Sequence, residues 1–168
     1  MKKESLTVVL RGGTVVLRGG GILPPRYMVL AMRLGLGGLF IQSAYTKLTT
    51  AGGWAASGYL SKATGPLAGL FQSMAGNGLV DGLVMIGELL IGIALVFGAA
   101  TRWTALAGSA MMVLFYLAKL PPQGTWVSQQ IIYLIALNLL AAARAGTFLG
   151  IDALLEEWEK RMPVLRYI

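Results

Sequence analysis

The chain contains neither cysteine nor histidine. Without cysteine there can be no disulfide, no thiolate metal site and no cysteine nucleophile. Without histidine the commonest ligand of haem, copper and zinc is missing, as is the usual general base near neutral pH. Haem ligation through methionine would lack its common histidine partner, so Met28, Met32, Met85, Met111 and Met112 read as packing residues. No metal site and no covalently bound cofactor is expected. Charge is scarce as well: 12% of residues are Asp, Glu, Lys or Arg, against about 25% in soluble domains. Apolar residues fill the difference, at 56% of the chain with a mean hydropathy of +0.70. Long apolar runs in such a background point to the membrane. Four spanning helices would nearly exhaust the 168 residues.

The runs can be placed. A first span covers about Tyr27–Leu48, and Pro24-Pro25 stops its helix from extending backwards. Gly35, Gly37 and Gly38 within it are small enough for close helix packing. The second span covers about Leu79–Ala99, the third Trp103–Leu120 before Pro121-Pro122, and the fourth Val127–Thr147. Between the first two lies Thr49–Gly78, rich in Gly, Ser and Thr but carrying Trp54, Tyr59, Leu60, Leu67, Leu70 and Phe71. Short interfacial or re-entrant helices are expected there, with aromatics at headgroup depth. Ile151–Met162 reads as a short amphipathic helix, with Leu154, Leu155 and Trp158 opposite an acidic and basic face. The fold class is thus all-α: a four-transmembrane-helix bundle with an interfacial connector and a C-terminal amphipathic helix. It divides into a leader, residues 1–25, and a membrane domain, residues 26–168.

The leader repeats TVVLRGG in tandem, Thr7–Gly13 and Thr14–Gly20. Each apolar run is too short to span a bilayer, and Arg11 with the glycines interrupts any signal-peptide core. A flexible cytoplasmic leader is the plain reading. A strand hairpin that docks on a partner is the sharper one, since β-branched residues followed by a Gly pair suit a strand and a turn. The net charge of +7 follows from topology and needs no nucleic acid. Most Lys and Arg fall on one side of the predicted spans, and Lys47, Lys62 and Lys119 fall on the other. The positive-inside rule then puts both termini in the cytoplasm of a multi-pass cell-membrane protein.

Two charges lie inside the spans. A charged group at mid-bilayer costs ~2.5–3.5 kcal/mol on insertion scales, so Arg33 and Glu88 should face the bundle and find partners. Counting the helical rise from the outer ends puts Arg33 at ~21 Å and Glu88 at ~13 Å. A direct Arg33–Glu88 pair is possible at that gap, and a bridge through water or a ligand fits equally well. Arg33, Phe40 and Lys47 are seven apart and share a face with Gly37 and Ala44. Asp81 lies near the outer surface, where Lys47 could pair with it. Ser109, Met112, Tyr116 and Lys119 form a polar stripe on the third span. Tyr133 and Asn138 on the fourth fall near the depth of Glu88. These groups would converge on a polar pocket opening outward. The bland alternative is that they only tie helices together.

RLGLGGLFIQSAYTKL (Arg33–Leu48) followed by GELLIGIALVFGAATRWTALAG (Gly87–Gly108) resembles the DoxX/DoxD membrane family. Its pattern is an Arg-led, Gly-rich first helix ending in Lys-Leu, then Gly-x-x-Glu-Leu and a following Thr-Arg. WAASGYLSKATGPLAGLFQSMAGN and LPPQGTWVSQQIIY look more like the DoxD branch. The resemblance runs from about Arg26 to Glu157. It implies a four-helix subunit of a thiosulfate:quinone oxidoreductase associated with a terminal quinol oxidase. Arg33, Lys47, Glu88 and Arg102 match the family's charged positions.

Two functions compete. In the first, the chain is the quinone-reactive subunit of a respiratory or sulfur-oxidising complex. Glu88 and Arg33 are then its catalytic candidates, and Lys47, Tyr133, Asn138 and Arg102 its substrate-binding ones. Quinone reduction needs two protons and a carbonyl-binding donor, which these groups can supply. In the second, it is a non-catalytic accessory subunit stabilising a terminal oxidase or supercomplex. A buried, fully paired Arg33–Glu88 contact without a cavity would favour that. A small transporter fits poorly, because no inverted repeat is visible. The expected partners are membrane lipid and other subunits of such a complex.

Overall fold

The computed structural model describes residues 5–10, 13–18, 24–120 and 126–154. The chain opens on a hairpin of β1 (Ser5–Leu10) and β2 (Gly13–Arg18). The strands are antiparallel, with Thr7 opposite Val16 and Val8 opposite Val15. Each copy of the tandem repeat therefore supplies one strand, as β-branched Thr-Val-Val favours extended backbone. β1 comes up against the helices at Pro25–Leu48 and Gln129–Ala142.

Six helices follow. α1 spans Pro25–Leu48 and begins at its proline, whose missing N–H costs nothing at a first turn. α2 (Ser57–Leu60) and α3 (Ala68–Ser73) lie in the connector. α4 (Gly78–Phe97) starts at Asn77, whose side chain accepts from the Leu79 N–H, and ends at Gly98 in the left-handed region, φ 65°. α5 is Thr101–Leu117 and α6 is Gln129–Ala142. The four long helices run up and down. α1 lies along α4, α5 along α6, and α4 bridges to α5. α1 and α4 are each long and apolar enough to cross a membrane.

Two differences from the sequence reading matter. The fourth run is helical only to Ala142, five residues short of the expected end at Thr147. Arg144 takes a left-handed backbone, φ 48°, and a 3-10 turn occupies Ala145–Thr147. The C-terminal helix is seen over residues 151–154, and the rest of the expected Ile151–Met162 segment lies outside the described residues.

The connector is folded, as its aromatics suggested. Leu60, Ala63, Phe71 and Ala118 bury together, with Trp54 and Tyr59 packed beside them. The Asp81 carboxylate accepts from the Ala56 N–H at 2.7 Å, and the Thr64 N–H donates to the Ala118 carbonyl at 3.0 Å. These bonds lay the connector across the end of the bundle where α1 stops and α4 starts. Asp81 is thereby taken by backbone, not by Lys47.

Polarity is inverted relative to a soluble bundle. Arg33 and Glu88 are only 1% and 2% exposed, while Leu79, Leu83 and Leu90 of α4 are 61–77% exposed. Buried charge behind an apolar outer surface is the arrangement that a hydrocarbon surrounding favours.

Candidate functional site

The site is set by how α1 meets α4. A Cβ built on Gly37 would lie 2.7 Å from Val96 Cγ2 and 3.0 Å from the Gly92 carbonyl oxygen; one on Gly92 would lie 2.8 Å from the Ile41 nitrogen. The helices therefore cross backbone to backbone at this glycine pair, which fixes their stagger. Along the axes, Lys47 lies ten residues beyond the crossing and Glu88 four residues beyond it in the same direction, so their Cα levels differ by ~9 Å. Helical side chains lean toward their own N-terminus. In antiparallel helices Lys47 leans back and Glu88 leans forward, so the two meet.

Lys47 Nζ makes a salt bridge to Glu88 Oε2 and donates to Ser43 Oγ at 2.7 Å. It also sits 5.2 Å above the Trp54 ring, a favourable placement for a cation. The same tilt explains why Arg33 does not pair with Glu88. Arg33 lies four residues on the other side of the crossing, about 12 Å from the level of Glu88, and the two side chains lean apart. The direct Arg33–Glu88 pair that the spacing allows does not form: Glu88 is paired with Lys47, and Arg33 is held by backbone carbonyls.

Arg33 instead serves the opposite end of the bundle. Its Nη1 donates to the Ala145 carbonyl at 2.7 Å and the Phe148 carbonyl at 3.2 Å, and its Nη2 to the Leu149 carbonyl at 2.8 Å. A planar fork suits several carbonyls displayed by one turn. Beside it, the Asp152 carboxylate accepts from the Ala100 N–H at 2.6 Å and the Thr101 N–H at 2.8 Å, capping α5. Ala100 and Leu149 both have positive φ, 44° and 49°. Their strain is held by the Asp152 and Arg33 bonds. Gly98, Gly146 and Gly150 leave the room this cluster needs. Arg33 is a structural latch, not part of the polar pocket.

That pocket exists at the connector end. A cavity of about 600 Å³ lies between α1, α4, α5 and α6. Lys47, Glu88, Trp54 and Tyr133 line it together with Gln129 and Gln130. Leu36, Phe40, Met112 and Phe115 form its apolar floor. The Tyr133 hydroxyl accepts from Gln129 Nε2. Of the six candidate residues, the structure brings three together: Lys47, Glu88 and Tyr133. It leaves three outside. Arg33 is in the latch. Arg102 is exposed in the first turn of α5, ~15 Å along the axis from Met112. Asn138 turns to the α5 side, donating to Ser109 Oγ at 3.1 Å and the Leu134 carbonyl at 2.8 Å. Five residues separate it from Tyr133, about 140° around the helix, so equal depth did not mean a shared face. The polar stripe on α5 also divides: Ser109 takes Asn138, Tyr116 donates to the Trp126 carbonyl at 3.2 Å, and Lys119 lies 4.3 Å over the Tyr59 ring.

Sequence reasoning missed Trp54, Ser43 and Gln129. Ser43 carried a signal, since it lies one turn before Lys47 on the same face. Trp54 carried none, because its place depends on how the connector folds back. The Lys47 charge is also spent on Glu88, so the cavity is not the anion site that a free lysine would make. Lys62 is exposed in the connector and does not line the cavity.

A helical bundle with an apolar exterior, a buried ion pair and a polar cavity at one end defines a membrane protein with an internal site. The family model for DoxX matches residues 28–119, over half the chain, and the chain belongs to that family. The match covers Arg33, Lys47 and Glu88; α6, with Tyr133, lies beyond it. No curated protein and no solved structure matches the chain.

Proposed function

We propose that this chain is the quinone-reactive membrane subunit of a respiratory or sulfur-oxidising complex, a thiosulfate:quinone oxidoreductase of the DoxD type. In this reading it crosses the cell membrane four times with both termini cytoplasmic. The observation that carries the reading is the cavity: about 600 Å³, apolar at its floor, with an ion pair and a phenol on its walls. Ligand sites of 300–1,000 Å³ with a few placed polar groups are the usual form for small molecules. A quinone ring needs an apolar slot for its faces and donors for its two oxygens. Lys47 Nζ and the Tyr133 hydroxyl are two donors on its walls. Reduction to quinol takes two electrons and two protons. Oxidation of two thiosulfates to tetrathionate yields the two electrons, carried by a partner subunit. Glu88 holds Lys47 in place, and the pair passes protons to the quinone oxygens. A paired Arg33–Glu88 contact without a cavity favours an accessory role; the pairing of Glu88 with Lys47 beside a cavity supports the quinone reading instead.

The test is purification of the tagged chain from its native membranes in mild detergent, followed by thiosulfate-dependent reduction of a quinone. In an intact complex, Glu88→Gln and Tyr133→Phe are each expected to lower the rate at least tenfold. Co-purifying oxidase subunits with no such activity, and unchanged oxidase turnover in Glu88→Gln, would refute the reading and leave a structural subunit.

A further inference from the structure

The walls of the cavity are not all inside the protein. Leu39 lines it and is 43% exposed. Gln42 and Thr46 of α1 and Gln129 of α6 likewise line the cavity and are exposed. A side chain that meets both cavity and surface marks the mouth, so the mouth is a slot between α1 and α6. The packing accounts for it. α1 is drawn to α4 by the Gly37–Gly92 crossing, and α5 to α6 where Gly108 admits Leu137 at 3.2 Å from its Cβ position. Gly35 and Gly38 of α1 face open space, and α1 meets α6 far less closely than it meets α4. From Thr46 the slot runs back seven residues to Leu39, ~10 Å down the flank of the bundle. The outer surfaces of α1 and α6 carry exposed Leu34, Ile132 and Ile135, which suits hydrocarbon better than water.

Charge narrows what can enter. Lys47 and Glu88 neutralise each other, and the remaining polar groups on the walls are amides, hydroxyls and an indole. Such a lining binds an uncharged ring with hydrogen-bonding oxygens and offers an anion no net attraction. We infer that the cavity takes an uncharged ring compound bearing a long apolar tail, which enters sideways from the bilayer between α1 and α6 and leaves its tail in the slot at Leu39. This inference rests on the quinone reading of the cavity. It adds the route and the tail, and it places thiosulfate chemistry outside this cavity.

The test compares two photoreactive quinones on the chain reconstituted in liposomes: one with a polyisoprenyl tail dissolved in the bilayer, and one with the same ring and no tail, added from water. In wild type both are expected to label cavity residues, and excess thiosulfate to displace neither. Leu39→Trp should cut labelling by the tailed probe at least tenfold and by the tail-less probe less than twofold. Leu39→Ala, which widens the slot, should keep labelling by the tailed probe at or above the wild-type level. Undiminished labelling of Leu39→Trp by the tailed probe would overturn the sideways route, and so would equal loss of both probes. Wild type labelled only by the tail-less probe would overturn the tail while leaving the quinone reading standing. Wild type labelled by neither would overturn the quinone reading itself.

Discussion

Replacing Lys47 by methionine should show what the ion pair does for the bundle. Methionine keeps much of the side-chain volume and removes the charge. Glu88 is then left 2% exposed on the cavity wall without its cationic partner. Removing one partner of a buried pair costs about 3–5 kcal/mol, because the other charge is stranded. That is about a hundred- to several-thousand-fold in the folded-to-unfolded ratio. Glu88→Leu should cost less. The Lys47 side chain is 15% exposed and keeps Ser43 and the Trp54 ring, so its ammonium is not stranded. The double variant Lys47→Met/Glu88→Leu removes both charges, and replacing a buried pair by apolar side chains is often neutral or stabilising. The double variant should therefore be more stable than Lys47→Met alone, with a coupling of at least ~2 kcal/mol. Equilibrium unfolding of the four proteins in lipid-containing micelles measures it. Single-variant losses that add within about 0.5 kcal/mol, the level seen for independent sites, would refute the claim that the pair is buried and mutually dependent.

The other expectations concern the latch, the crossing and the connector. Arg33→Lys keeps the charge but loses the planar fork that serves three carbonyls; limited proteolysis should cut within residues 145–152 well before wild type, and an unchanged cleavage pattern would show that the fork is dispensable. Gly92→Ala puts a methyl 2.8 Å from the Ile41 nitrogen and 2.9 Å from the Gly37 carbonyl oxygen. Overpacking of this kind costs about 1–3 kcal/mol, so the thermal midpoint in detergent should fall, whereas Gly38→Ala, in open space, should leave it in place. Burial raises the Tyr59 phenol above its ordinary value. The unfolded chain releases that proton first, so the group's contribution is complete below about pH 10 and is lost as pH rises through the folded value. Wild type should lose stability above pH 10 more steeply than Tyr59→Phe in parallel melts, and equal slopes would refute the assignment.

Much of the architecture was legible in the sequence. Seven-residue spacing put Arg33, Gly37, Phe40, Ala44 and Lys47 on one face of α1, and Arg33, Gly37, Phe40 and Ala44 are all buried. The aromatics of the connector announced a packed segment; the β-branched repeat suited strands, but its plain reading was a flexible leader, and the structure shows a hairpin instead. These follow from local rules: side-chain period, backbone propensity, and the cost of exposing polar groups to hydrocarbon. The end of α6 was not legible, because Arg144 adopts a left-handed backbone that no local signal in AAARAGT demanded.

What the sequence alone determined about this protein is that it would bury Arg33 and Glu88 inside an apolar helical bundle. A membrane-facing chain with few charges has nowhere else to put them. Which partners they take was decided only by the tertiary structure. The crossing at Gly37 and Gly92 sets the stagger of two antiparallel helices, and the lean of side chains toward each N-terminus makes Lys47 converge on Glu88 while Arg33 diverges from it. The partners of Arg33 are backbone carbonyls at residues 145, 148 and 149. Every residue carries a carbonyl, so no letter of the sequence could mark these three.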